Sequence, residues 1–172
     1  MSENDSRKHI NKGLEIQNSL IEALMRPEAY PHPVSKIKVI ETHISWIILT
    51  GEYAYKIKKS LNHGFIQAES LYKRLIFSQE EIRLNSRLSP NLYIGVSKII
   101  GPLLKARVSE GEFKSLEETP RILEFAVKMR QFKESKVLSN ILKNEKLQNS
   151  TKRSLAIKLA EFHLSVEGPP NE

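Results

Sequence analysis

Glu52-Tyr53-Ala54-Tyr55-Lys56-Ile57-Lys58-Lys59 is the stretch on which the reading of this chain turns. Its side chains alternate, and successive residues of a strand point to opposite faces. Ala54, Lys56 and Lys58 therefore share one face, and Tyr53, Tyr55 and Ile57 the other. Immediately before it lies an apolar, β-rich run over residues 45–50, closed by Gly51-Glu52, so the two segments read as a hairpin. Residues 36–41 alternate as well, with Ile37 and Val39 inward against Lys36 and Lys38 outward. Three successive antiparallel strands are the economical assembly. Residues 69–88 follow with Leu71, Leu75, Ile76, Ile82, Leu84 and Leu88, no internal Gly or Pro, and a stop at Pro90. That spacing predicts a long helix.

Working outward, residues 1–12 read as a flexible polar leader and residues 13–25 as a short amphipathic helix before Pro27, Pro31 and Pro33. Strands are expected over 92–100, 102–108 and 122–129, a charged loop over 109–119, and helices over 136–147 and 151–166. Gly168-Pro169-Pro170 reads as a helix stop. The expected fold is α+β: a twisted antiparallel sheet of about five strands with one long packed helix, then two or three helices.

The chain has 172 residues, 40% of them hydrophobic. That is one domain's worth of sequence with enough apolar surface for a core. The absence of Cys rules out disulfides, thiolate metal sites and cysteine nucleophiles. No apolar run approaches the ~18 residues of a membrane span, and the polar N-terminus lacks a signal core, so a cytoplasmic, membrane-free protein is expected. A net charge of +7 and a pI near 9.5 admit phosphate-bearing partners. One detail is sharper. Asp5 is the sole aspartate, so these residues alone supply no positioned Asp elsewhere in the fold.

A small residue two positions before a Lys, as in Ala54-Tyr55-Lys56, leaves room for a base while the ammonium reaches phosphates. Such a Lys needs a carboxylate from a following helix, and Glu80 and Glu81 are both candidates. The same segment also fits an edge strand whose lysines face water and discourage aggregation. Lys73, Arg74, Arg83 and Arg87 give the long helix a basic surface, read as solvated. The five histidines show no metal-ligand spacing. Trp46 reads as core, and His163 as a packing residue beside Phe162.

Five stretches, quoted in chain order, carry a resemblance: Tyr30-Pro31-His32-Pro33-Val34, Ile40-Glu41-Thr42-His43-Ile44-Ser45-Trp46, Tyr53 to Lys59, Glu80-Glu81-Ile82-Arg83-Leu84-Asn85, and Phe125-Ala126-Val127-Lys128-Met129-Arg130-Gln131-Phe132. Together they resemble the N-terminal part of bacterial aminoglycoside-phosphotransferase-like, kinase-fold proteins, in the subgroup often fused to a P-loop ATPase module. The resemblance implies a kinase-like N-lobe over residues 13–132 and the helical start of a second lobe over 133–172. It implies that Lys56, with Lys58 as rival, contacts phosphates, and that Glu81, with Glu80 as rival, is its helix partner. Ala54 would make room for the base. His43 would lie on the turn over the phosphates, which here has no glycine. Met129 and Gln131 would belong to the hinge, whose main chain bonds the adenine edge while Phe125 and Val127 or their neighbours pack nearby.

The resemblance also sets limits. Phosphoryl transfer in such proteins needs a catalytic Asp and a Mg²⁺-binding Asp from the second lobe, and the chain stops where that lobe's catalytic loop is expected. The expectation is a truncated nucleotide-binding lobe without autonomous activity, binding ATP at about the millimolar level, near -4 kcal/mol, and not holding Mg²⁺ by itself. Two rivals are a split kinase completed by another chain and a small basic nucleic-acid-binding protein using Lys56–Lys59 and Arg83–Arg87, the latter not favoured. The apolar stripes of the C-terminal helices suggest a homodimer or a complementary second-lobe chain.

Overall fold

A computed structural model of the chain describes residues 3–63, 66–111, 121–144 and 147–166. It falls into two compact units, 1–131 and 132–172. The first contains the sheet. Strands β1 (Lys38–Glu41), β2 (Ser45–Leu49) and β3 (Tyr53–Lys58) form the expected antiparallel meander. At the β2–β3 corner Gly51 adopts φ +98°, a left-handed conformation that side chains with a Cβ resist. The Thr50 amide and hydroxyl both donate to Tyr53 O, at 2.9 and 2.7 Å, and close the turn.

The rest of the sheet is assembled out of chain order. A two-residue-per-strand hairpin, β4 (Asn62–His63) and β5 (Ile66–Gln67), leads into helix α2 (Leu71–Asn85). Ser70 caps α2 by accepting from the Lys73 amide. Then come β6 (Tyr93–Ile100), β7 (Arg107–Ser109) and β8 (Ile122–Arg130). The order across the main sheet is β1-β2-β3-β8-β6-β7, every pairing antiparallel. The α+β class holds, with six strands in the main sheet rather than about five. The strand expected over 102–108 is mostly a 3-10 turn, Leu103–Lys105, followed by the three residues of β7. Gly101 at φ +106° and Pro102, which has no N–H, turn the chain before pairing resumes.

Helix α1 spans Glu3–Ala23, so the helical segment begins ten residues before the expected start at Gly13. Residues 3–12 offer no apolar stripe to reveal it, and Gly13 lies inside the helix. A Cβ there would sit 2.9 Å from Ser60 Oγ, so the glycine admits a close approach to the end of β3. Leu20 and Ile21 of α1 and Leu24 just after it join Trp46, Ile48, Tyr55, Ile57, Ile99 and Ala126 in one buried cluster on one sheet face. Helix α2 packs chiefly against β6 and β8. Trp46 is core, as its sequence suggested.

The second unit holds α3 (Leu138–Asn144), preceded by a 3-10 turn at Glu134–Lys136, and α4 (Asn149–Ser165). Phe162 and His163 approach each other with ring centroids 6.0 Å apart. The loop expected over 109–119 and the helix expected over 136–147 fall partly outside the described residues, and the stop at 168–170 falls wholly outside them. No helix among the described residues is long and apolar enough to cross a membrane.

Candidate nucleotide site

Pairing register settles which side chains of β3 act together. Across from β2, Ala54 faces Leu49 and Lys56 faces Ile47; across from β8, Ala54 faces Met129 and Lys56 faces Val127. Cross-strand partners share a face. Ile40, opposite Ile47 on β1, joins them. None of these residues belongs to the α1 cluster, and Ile40, Ile47, Leu49 and Met129 are only half-buried. Within residues 1–131 they form an apolar shelf on the sheet face opposite α1, beside the region covered by α2.

At the edge of this shelf the two lysines converge on one carboxylate. Lys56 Nζ donates to Glu81 Oε1 at 2.8 Å, and Lys58 Nζ donates to Glu81 Oε2 at 2.6 Å. The Glu81 side chain is largely buried, at 10% exposure. Burial by itself pushes its carboxyl up. The two ammonium hydrogen bonds and charges outweigh that and hold it below the usual 4.5. Lys56 and Lys58 are thus not alternatives; both engage the same partner. Glu80 points elsewhere, forming a solvent-facing pair with Arg83 at 2.7 Å.

The other sequence-derived residues are placed as follows. His43 is exposed on the β1–β2 turn, where with Glu41, Thr42 and Lys59 it lines an open depression of about 600 Å³. In that turn the Thr42 amide donates to Ser45 O and the Ser45 amide to Thr42 Oγ1, so these two amides are consumed internally. Met129 lies on the shelf. The Gln131 side chain accepts from the Gly51 amide at 2.8 Å, and its own amide donates to Glu52 O at 2.9 Å. The Arg130 amide donates to Leu92 O. The amides of Arg130 and Gln131 are therefore committed to holding the start of β6 and the β2–β3 turn. Phe125 and Val127 are fully buried.

Sequence reasoning missed the support beneath the clamp. Arg74, read as part of a solvated face, is buried at 7% exposure. Its Nε donates to both oxygens of Glu124, at 3.0 and 2.9 Å, and its Nη1 to Ala68 O and Glu69 O. Glu124 also accepts from Gln17 Nε2 at 2.7 Å and from the Phe125 amide at 3.0 Å. Gln17 in turn reaches Lys58 O and accepts from the Ser60 amide. One network thus joins α1, the end of β3, α2 and β8. Two signals were present: a charge inside the apolar run 122–127, and an Arg one residue from Leu75 on the inward side of α2.

On the other sheet face Tyr53 carries the Lys128 ammonium over its ring at 3.9 Å, and Lys128 pairs with Glu110. His32 Nε2 lies 3.1 Å from the Tyr55 hydroxyl. Among the described residues no three His, Cys, Asp or Glu side chains converge as metal ligands.

No family model matches this chain, and no solved structure matches it. It is similar to uncharacterized proteins from two strains of Mycobacterium tuberculosis and from Mycobacterium bovis. Each is 34% identical over 74 residues, 41% of this chain. The aligned stretch spans 15% of the length of those relatives.

Proposed function

We propose that this chain is a nucleotide-binding lobe of phosphotransferase-like design, in which the shelf receives a base and the clamp faces the phosphates. The observation that carries the reading is the juxtaposition itself. Ala54, the small residue on the shelf, stands two positions from a lysine whose ammonium is held by a helix carboxylate. An apolar platform beside fixed cations suits a ligand with a flat aromatic end and an anionic end. The carboxylate keeps the Lys56 ammonium in one place, which suits it to a phosphate contact.

Transfer chemistry is a separate matter. Orienting an acceptor and holding Mg²⁺ calls for aspartates, and Asp5 is the sole one in this sequence. Those groups would come from sequence beyond these 172 residues, on the same polypeptide or another. By themselves these residues bind weakly and do not turn over.

Titration with ATP, followed by methyl NMR, tests the reading. The methyl signals of Ile40, Ile47, Leu49 and Met129 should shift together, with half-saturation near the millimolar range, and Lys56→Ala should abolish the response while the spectrum stays folded. Absence of shelf shifts at about 10 mM ATP, or a response untouched by Lys56→Ala, would overturn it.

A further inference from the structure

We infer that Lys58 is a second phosphate-directed side chain and that the site selects ligands carrying a polyphosphate chain over those with one phosphate. This rests on the nucleotide reading above and extends it to ligand class.

Glu81 gives one oxygen to each lysine. A single Lys–Glu pair is neutral, whereas two ammonium groups on one carboxylate leave a net charge of +1 in a partly desolvated place. The side chains of Lys56 and Lys58 are 25% and 15% exposed, so that charge is less screened than it would be on an open surface. Either lysine can swing to an incoming anion while the other continues to satisfy Glu81, because an ammonium on a flexible stem carries no fixed bonding plane.

Order along the strand supplies the length selection. Ala54 pairs with Leu49 and Met129 at the shelf, Lys56 pairs with Ile47, and Lys58 pairs with Ser45 beside the β1–β2 turn. Two residues of strand advance ~6.6–6.8 Å. A ligand with its base on the shelf passes Lys56 first and reaches Lys58 only with a longer phosphate chain. The position of Lys58 is also fixed from behind, since its carbonyl oxygen accepts from Gln17 Nε2 at 3.0 Å. The Lys58 backbone is therefore tied into the Arg74–Glu124 network, while its ammonium rests on Glu81.

Calorimetric titrations with ATP, ADP, AMP and sodium tripolyphosphate, on the unaltered chain and on Lys58→Met, test this. The unaltered chain should bind ATP roughly tenfold more tightly than ADP, and AMP least, the ratio expected of one added charge-assisted contact. Lys58→Met should bring ATP and ADP to within about twofold of each other while leaving AMP unchanged. Lys56→Met should weaken ATP and ADP together. Lys58→Gln repeats the measurement if Lys58→Met does not fold. An ATP-to-ADP ratio that survives both Lys58 variants, or AMP binding as tight as ATP, overturns the inference and leaves the nucleotide reading standing. Tripolyphosphate binding that depends on Lys58 with no base-dependent gain from ATP upholds the polyphosphate clamp and refutes the nucleotide reading. No binding of any of the four refutes both.

Discussion

Arg74 and Glu124 show how much a single misplaced charge reading can hide. Breaking a buried, hydrogen-bonded pair by removing one partner typically costs about 3–5 kcal/mol, because the other charge is left desolvated. Arg74→Met alone is therefore expected to lower stability by about that amount, and Arg74→Met with Glu124→Leu by much less. Chemical denaturation of the single and double variants checks this; equal losses in both would mean that the pair is not coupled. A second residue-scale expectation concerns Glu81. Its pKa is lowered in the folded chain, so its contribution to stability is present above about pH 4.5 and is lost as pH falls through the lower folded value. The stability gap between the unaltered chain and Glu81→Gln should be widest near neutral pH and should close below pH 4.5. A gap independent of pH would show that the carboxylate charge is not what the lysines require. The Lys56–Glu81 contact could be anticipated from the alternation of β3 and a Glu on a long helix. The sharing of Glu81 by both lysines could not, because residues i and i+2 of a strand are equivalent in sequence and only the placement of α2 decides which is reached. Arg74 escaped for a related reason: its buried partner lies 50 residues away.

At the scale of elements, local signals were reliable and long-range ones were silent. Gly51 marked the β2–β3 corner, and the structure gives it φ +98°. Gly51→Ala should cost about 1–2 kcal/mol from the left-handed conformation alone, visible as a lower denaturant midpoint with an unchanged slope. No loss would mean that the turn relaxes to another geometry. The β1–β2–β3 meander and α2 were legible from period-2 and period-3.6 patterns, because each is set by neighbours in sequence. The insertion of β8 between β3 and β6 was not, because pairing across 70 residues leaves no local trace. The shelf follows from that insertion: Met129 meets Ala54 only because β8 lies beside β3. Helix α1 was underestimated for the opposite reason, since its first ten residues are polar apart from Ile10 and its apolar stripe begins at Leu14.

Across the whole molecule, the second unit presents apolar side chains that its own residues do not cover. Leu138, Leu142, Leu155 and Leu159 are between 41% and 57% exposed, and no residue of α4 is buried. At about 25 cal/mol per Å² of apolar surface, such side chains drive association, and we expect the 172-residue chain to self-associate through these helices at tens of micromolar. Sedimentation velocity on the chain and on Leu155→Glu with Leu159→Glu checks this; a monomer in both cases would contradict it. The net charge of +7 does not oppose such association strongly at physiological salt, where exposed charges are screened beyond about 8 Å.

In the proposed mode of binding, one sheet face joins a base shelf to a two-lysine phosphate clamp. A crystal structure of the chain soaked with about 10 mM of a non-hydrolysable ATP analogue tests it most directly, a concentration well above a millimolar dissociation constant. The base should lie against Ala54, Leu49 and Met129, and phosphate oxygens within hydrogen-bonding distance of the Lys56 and Lys58 ammonium groups, with Glu81 still holding at least one of them. Nucleotide density on the α1 face or at the surface of α2, with the shelf empty and both lysines still on Glu81, would contradict it.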